Sequence, residues 1–408
     1  DSFNTAVGAD AGNQVTTGIQ NTLVGGIAGD ALTDADFNVA LGYAALSADT
    51  LGSRSIAIGR GALLAQNFTT ATDTYNTAVG HFAGGSVTTG IVNTLIGGLS
   101  GDAITTGNDN TALGYGSLSA NTASNRNTAI GSATLQSFNV TTDTHTYNTA
   151  VGYGAGNVVT TGIQNTLVGG LAADAVTTGS ENTALGQAAL GQDTAGNKTV
   201  AVGNGALATQ NFTTSTDSYN VGIGYTAGLS VTTGVRNTLI GALAGDALTD
   251  ADSNVAVGTN ALGADTLGSK SIAIGQGSLF LQNFTTATDS HNIAIGHEAG
   301  LNVSTGVQNT LIGGLAGDAL TTSTGNVAVG YQALTSEDTG QYNTAIGWTA
   351  LANADNNSDN YNTAVGAAAG QQVTTGVQNT LIGGLAGDAL TTGGENVAVG
   401  AFALSGED

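Results

Sequence analysis

The phrase Asn-Thr-Ala-Val-Gly returns along this chain at a fixed step, with its glycines at Gly8, Gly25, Gly42 and Gly59, a 17-residue repeat. The next step, from Gly59 to Gly80, is longer by four, so a 72-residue superunit (Gly8 to Gly80 to Gly152) overlies the short repeat. One long step deviates, that from Gly347 to Gly366, which is shorter by two than the others of its kind. So small a unit cannot close a core of its own. It buries apolar surface only by stacking on its neighbours, which is the sequence signature of a solenoid. Counting one coil per motif glycine down to Gly400 gives 23 coils, read as a single continuous array over residues 1–408.

Composition agrees. Only 9% of residues are charged and 40% are hydrophobic, which is too apolar for disorder. No apolar run approaches the roughly 18 residues of a membrane helix, and no membrane insertion is expected. With 6 Lys+Arg against 29 Asp+Glu, the net charge is −23. That excludes nucleic acid as a partner, because a basic stripe is absent. Cysteine is also absent, so there is neither a disulfide framework nor a thiolate metal site. The chain starts and stops inside its own superunit and reads as a segment of something longer.

Within Asn4-Thr5-Ala6-Val7-Gly8, strand alternation puts Thr5 and Val7 on one face, Asn4 and Ala6 on the other. The residue before the glycine is always Val, Ile or Leu. The residue two before it is generally Ala and becomes Leu in the second coil of each superunit: Leu23, Leu95, Leu167, Leu239, Leu311 and Leu381. Both faces are apolar. One is expected to line the interior, while these leucines are expected to form a chain–chain interface. Elsewhere the coil compensates. Coils with Gly12 or Gly29 at the fourth position after the motif glycine carry Val15 or Leu32 at the seventh, whereas coils with Leu46 or Leu63 carry Asp49 or Gln66 there. Such text is poor helix material and predicts an all-β parallel β-solenoid. At ~4.8 Å per strand, 23 coils would make a rod on the order of 110 Å long.

The phrase Asn-Thr-Ala-Ile-Gly-x-x-(Ala/Ser)-Leu, seen at Asn127-Thr128-Ala129-Ile130-Gly131, resembles the repeats of trimeric autotransporter adhesin heads and bacteriophage tail-fibre shafts. The resemblance covers the whole chain at motif level. It implies a left-handed β-roll, three parallel chains side by side, and a place on a surface where attachment happens. The superunit and the 17-residue step, longer than usual head repeats, depart from that pattern.

Several columns could carry function. The eighth residue after each glycine runs Thr16, Thr33, Thr50 and then Asn67, and is expected to form a hydrogen-bonded ladder along the axis. In the long coils Asn67, Asn139, Asn211 and Asn283 open Asn-x-Thr sequons, and Asn356 opens Asn-Asn-Ser. These are candidate glycosylation sites on protruding loops. Aromatics recur in the same coils. Tyr75, Tyr147, Tyr219 and Tyr361, with Phe68, Phe212 and Phe284, form a candidate contact ridge for glycans or a partner. Arg54, Arg126, Lys198 and Lys270 follow one another at the superunit spacing and are expected to pair with nearby Asp49, Asp193 and Asp265. Asp30, Asp102, Asp174, Asp246, Asp318 and Asp388 form an acidic column, but no calcium-loop pattern accompanies it. The four histidines fall in repeated slots, so no enzyme, metal or cofactor is expected.

The expected function is an extracellular fibrous protein, the shaft or head of a cell-surface or virion fibre, giving reach and multivalent attachment. It would act as a homotrimer, with cell-surface glycans as candidate ligands. The alternative is a self-assembling extracellular filament or matrix protein without a dedicated receptor.

Overall fold

The computed structural model describes residues 2–406. It is all-β, a parallel β-solenoid, with no helix among the described residues. Of the strands, 23 are three-residue motif strands, one per coil. The chain divides into two compact units, Asp1–Thr199 with Asn211–Asp217, and Val200–Gln210 with Ser218–Asp408. The first holds the motif strands from Thr5–Val7 to Thr183–Leu185, the second those from Val200–Val202 to Val397–Val399.

Within each unit the motif strands pair in parallel and in register: Thr5 opposes Thr22, Ala6 opposes Leu23, and Val7 opposes Val24. Thr22 N–H donates to Asn38 C=O at 2.8 Å, and Gly25 N–H donates to Val7 C=O at 2.8 Å. The strand ends at a glycine for a steric reason. Gly8 has φ +138°, and a Cβ there would lie 2.4 Å from the carbonyl oxygen of Gly25 in the next coil. Only a residue without a side chain permits that spacing.

The face carrying Asn and Ala or Leu is the interior. Ala78, Leu95, Ala112 and Ala129 are fully buried, and so are Asn76, Asn93 and Asn110 to within 1%. The six leucines expected at a chain–chain interface are therefore core residues. Leu23 is 1% exposed and Leu95, Leu167, Leu239, Leu311 and Leu381 are 0% exposed within one chain. Their length is explained by the glycines around them. Leu23 Cδ1 occupies the space a Cβ of Gly12 would need (2.7 Å), and its Cδ2 that of Gly29 (2.8 Å). One long side chain fills room vacated in two coils, which keeps the interior at the density cores require. The outward face is the other one, with Thr and the Val, Ile or Leu before the glycine.

A buried asparagine ladder runs beside the apolar core. Asn38 N–H donates to Asn21 Oδ1 at 2.9 Å, and Asn21 Nδ2 donates to Ala35 C=O at 2.7 Å. Asn93 repeats both bonds, to Asn76 Oδ1 at 2.9 Å and to Gly107 C=O at 2.8 Å. Each side chain thus satisfies a backbone donor one coil away and a carbonyl at the corner, groups that would be costly to bury unpaired.

Corners are made by left-handed backbone at non-glycine residues, among them Leu46 (φ 55°) and Leu63 (φ 48°). This conformation costs about 1–2 kcal/mol per residue. Both leucines are fully buried, and full burial of such a side chain returns about 1.5–3 kcal/mol, enough to hold the corner. Three of the long coils pair a short second strand with the coil before them, Gly52–Ser53 with Thr72–Asp73, Gly196–Asn197 with Thr216–Asp217, and Gly268–Ser269 with Thr288–Asp289.

Candidate functional site

The corner before each motif strand carries the most chemistry. Phe37, Arg54 and Tyr75 occupy it in successive coils, with φ 61°, 65° and 50°, and this backbone turns their side chains outward. The Arg54 guanidinium lies 5.2 Å from the Phe37 ring centroid and 5.8 Å from that of Tyr75. Its Nε is 2.9 Å from Asp73 Oδ1. One superunit on, Arg126 Nη1 donates to Tyr147 Oη at 2.8 Å, and its Nε lies 3.6 Å from Asp109. Lys198 and Lys270 meet Asp217 and Asp289, each at 2.5 Å. In the last superunit Tyr342 and Tyr361 stack with centroids 5.2 Å apart.

The expected cation partners Asp49, Asp193 and Asp265 do not make these pairs. All three are fully buried in the coil, too deep for the exposed guanidinium or ammonium groups to reach. Asp49 Oδ1 accepts from Gly52 N–H (3.1 Å) and Phe68 N–H (3.0 Å), while Oδ2 accepts from Gln66 Nε2 at 2.6 Å. Burial pushes the Asp49 and Asp265 carboxyls above the ordinary range, against the lowering effect of the donors from Gln66 and Gln282.

The ridge divides accordingly. Tyr75, Tyr147, Tyr219 and Tyr361 are about half exposed, whereas Phe68, Phe212 and Phe284 are 7%, 6% and 6% exposed. The three phenylalanines leave the ridge because their own backbone N–H groups donate to the buried Asp49, Asp193 and Asp265, which holds this stretch of chain against the coil. Of the sequon asparagines, Asn67 and Asn283 are exposed and Asn139, Asn211 and Asn356 are half-buried. The first four also cap the threonine ladder. Thr50, Thr122, Thr194 and Thr266 donate to Asn67, Asn139, Asn211 and Asn283 Oδ1 at 2.9–3.1 Å. Below the cap the ladder runs from threonine hydroxyl to backbone, as in Thr16 Oγ1 to Thr33 C=O at 3.2 Å.

Glu337, Asp338 and Asp355 bring carboxylate oxygens within 4.8 Å of one another. Glu337 already accepts from Gly340 N–H (2.7 Å) and Asn360 Nδ2 (2.7 Å), so the cluster is tied to the coil itself. In the acidic column, Asp30, Asp102, Asp174, Asp246 and Asp318 are all moved upward, by desolvation first. No helix of the described residues is long and apolar enough to cross a membrane.

Sequence reasoning missed the asparagine ladder and the buried Asp49–Gln66 pair. The signal was an Asn at the fourth position before the glycine in most coils, changing to Ser55, Thr199 and Ser271 only where an aspartate and a glutamine stand at the neighbouring seventh positions. Outside the core, the outward strand face carries half-exposed aliphatic side chains, with Leu41, Leu113 and Leu185 at 43–46% exposure. No protein-family model matches the chain, and no curated protein matches it.

Proposed function

We propose that this chain is a segment of an extracellular fibre, its shaft or head, in which parallel copies pack side by side and present repeated weak contact points to a surface. The observation that carries this reading is the outward strand face. In every coil a Val, Ile or Leu stands there beside a Thr or another aliphatic, so each unit presents a stripe of partly exposed apolar side chains. Contiguous apolar surface of that kind marks a contact face. A second and third copy of the same chain, the homotrimer of the resembling repeats, fit it because every coil offers the same pattern at the same spacing. The tyrosine corners and sequon loops lie away from the interior, and the half-exposed rings are the surface offered to cell-surface glycans. Many weak sites on one assembly hold a surface through effective concentration. No catalytic step enters this reading.

The test is the mass and form of the purified chain. Light scattering and electron microscopy should give a finite oligomer with three parallel chains in cross-section, and beads bearing it should adhere to glycan-coated surfaces where the soluble form does not. A monomer with no bead adhesion overturns the proposal. Indefinite end-to-end fibres without adhesion would make the chain a structural filament instead.

A further inference from the structure

One cleft departs from the repeat. It lies on the corner just after the motif glycines, has a volume of about 270 Å³, and is lined by Tyr43, Arg60, Phe82, Ile27, Leu64 and Ser47 among others. Pockets for drug-sized ligands run from about 300 Å³ upward, so this one suits a single ring. The Tyr43 ring, 58% exposed, lies against Gly26, where an added Cβ would come within 3.3 Å of it. Phe82 lies on Gly61, where a Cβ would meet the ring at 2.7 Å. Glycines in the neighbouring coil thus make room for both aromatic walls. Arg60 completes the cleft, its guanidinium 5.4 Å from the Phe82 centroid and its Nη1 3.4 Å from His81 Nε2. Arg54, Arg126, Lys198 and Lys270 each have a carboxylate partner, while Arg60, like Arg236, has none among the described residues.

The same corner in other superunits carries different residues on the same frame. Tyr43, Arg60 and Phe82 correspond to Tyr115, Ser132 and Gly154, to Thr259, Gln276 and Glu298, and to Tyr331, Trp348 and Ala368. The frame therefore does not demand arginine, and at Gln276 and Glu298 a cleft of about 210 Å³ survives with the opposite electrostatic character.

We propose that the Tyr43–Arg60–Phe82 cleft binds a carboxylate-bearing sugar, of the uronic or sialic type. The guanidinium fork matches a carboxylate through two parallel hydrogen bonds. The exposed face of Tyr43 supplies a platform for the C–H face of a pyranose ring, with an apolar body and a polar rim. A singly charged ligand with a neutral ring is favoured over phosphate, because the chain carries −23 and repels each added negative charge. This assignment names a ligand class for the attachment reading and rests on that reading only for where such a sugar is met.

The test is titration of the whole chain with sodium D-glucuronate, D-glucose and acetate, followed by saturation-transfer and nitrogen-correlated NMR. Glucuronate should bind saturably and shift the Arg60 Nε–H resonance in the unaltered chain, with glucose and acetate at least about tenfold weaker. Arg60→Gln should abolish most of the binding and Tyr43→Thr should weaken it. Both substitutions place residues the repeat itself uses at these positions, Gln276 and Thr259. Absence of saturable glucuronate binding, acetate binding as tightly as glucuronate, or full binding by Arg60→Gln overturns the proposal. So does a change of sedimenting mass in Arg60→Gln, which would make the cleft a contact between copies. None of these failures touches the bead-adhesion result, which tests the attachment reading separately.

Discussion

Gln66 Nε2 reaches across one coil to Asp49 Oδ2 at 2.6 Å, and both side chains are completely buried. The same amide donates to Ser55 Oγ at 2.8 Å, and Gln66 Oε1 accepts from Asn76 Nδ2 at 2.9 Å. Gln66 thus bridges the asparagine ladder where Ser55 interrupts it. The set recurs as Asp265, Gln282, Ser271 and Asn292, with distances of 2.6, 2.8 and 2.9 Å. The second superunit solves the same position without charge. Asn121, Phe138 and Asn127 stand at these places, all buried to within 1%.

Removing only Gln66, as Gln66→Ala, leaves Asp49, Ser55 and Asn76 each short of a partner in the interior. Each such loss costs about 1–3 kcal/mol, so the variant should lose at least about 2 kcal/mol in denaturant unfolding. The combined change Asp49→Asn, Gln66→Phe and Ser55→Asn places the second superunit's residues at these three positions, without the Ser124 hydroxyl that bonds Asn121 there, and should recover part of that loss. A triple variant no more stable than Gln66→Ala would show that the cluster does not act as a unit.

Burial raises the carboxyl pKa of Asp30, Asp49, Asp102, Asp174, Asp246, Asp265, Asp318 and Glu337. In each the folded value lies above the unfolded one, so folding favours the protonated form. The stability this contributes is complete below the ordinary carboxylate value of about 4 and is lost as pH rises through the raised values. Melting followed by circular dichroism should therefore occur at higher temperature near about pH 4.5 than near about pH 7.5. The triple variant, which lacks the Asp49 carboxyl, should show a smaller difference. An unchanged or inverted profile would count against the buried-acid account.

Much of the architecture is legible in the sequence. The 17-residue step, the all-β text and the invariant glycine specify stacked coils, and the stacking of Gly8 on Gly25 shows why no other residue serves. The inward face is harder to read, because both faces are apolar and Val has more apolar volume than Ala. What decides it is polar: Asn21 and Asn38 must lie inside to satisfy the corner carbonyls of Ala35 and Gly52, and Leu23 and Ala40 go in with them by strand alternation. The leucines carried a clue in their neighbours, since Gly12 and Gly29 leave the space that Leu23 fills. Phe68 and Asp49 were misplaced outward for a related reason. Polar or loop-like text near a bulge reads as surface until the hydrogen bonds that hold it inside are known.

The two faces give opposite expectations for substitution. Leu95→Ala should cost about 2–5 kcal/mol by opening a cavity against Gly84 and Gly101, with no direct effect on association. Leu113→Asp, on the outward face at 43% exposure, should leave the circular dichroism spectrum intact and lower the assembled mass in light scattering. If Leu113→Asp assembles as the unaltered chain does, the outward strand face is not where copies meet.

Deleting chain tests which repeat is the packing unit. Removing residues 81–152, one whole superunit from one first-coil glycine to the next, joins like to like and should preserve a cooperative melt. Removing only residues 81–97, a single coil, takes away Leu95 while leaving the corner of Gly101 and Ile104 against which its Cδ2 packs. A Cβ at Gly101 would lie 2.7 Å from Leu95 Cδ2 and 2.9 Å from Ile104 Cδ1, so the space is shared by design of the superunit. The shorter deletion should therefore destabilise more, by about 2–5 kcal/mol for the void it leaves, although it removes less chain. Denaturant midpoints of the two variants decide the matter: the larger loss falling on the whole-superunit deletion would mean that coils stack interchangeably and that the superunit has no role in the core.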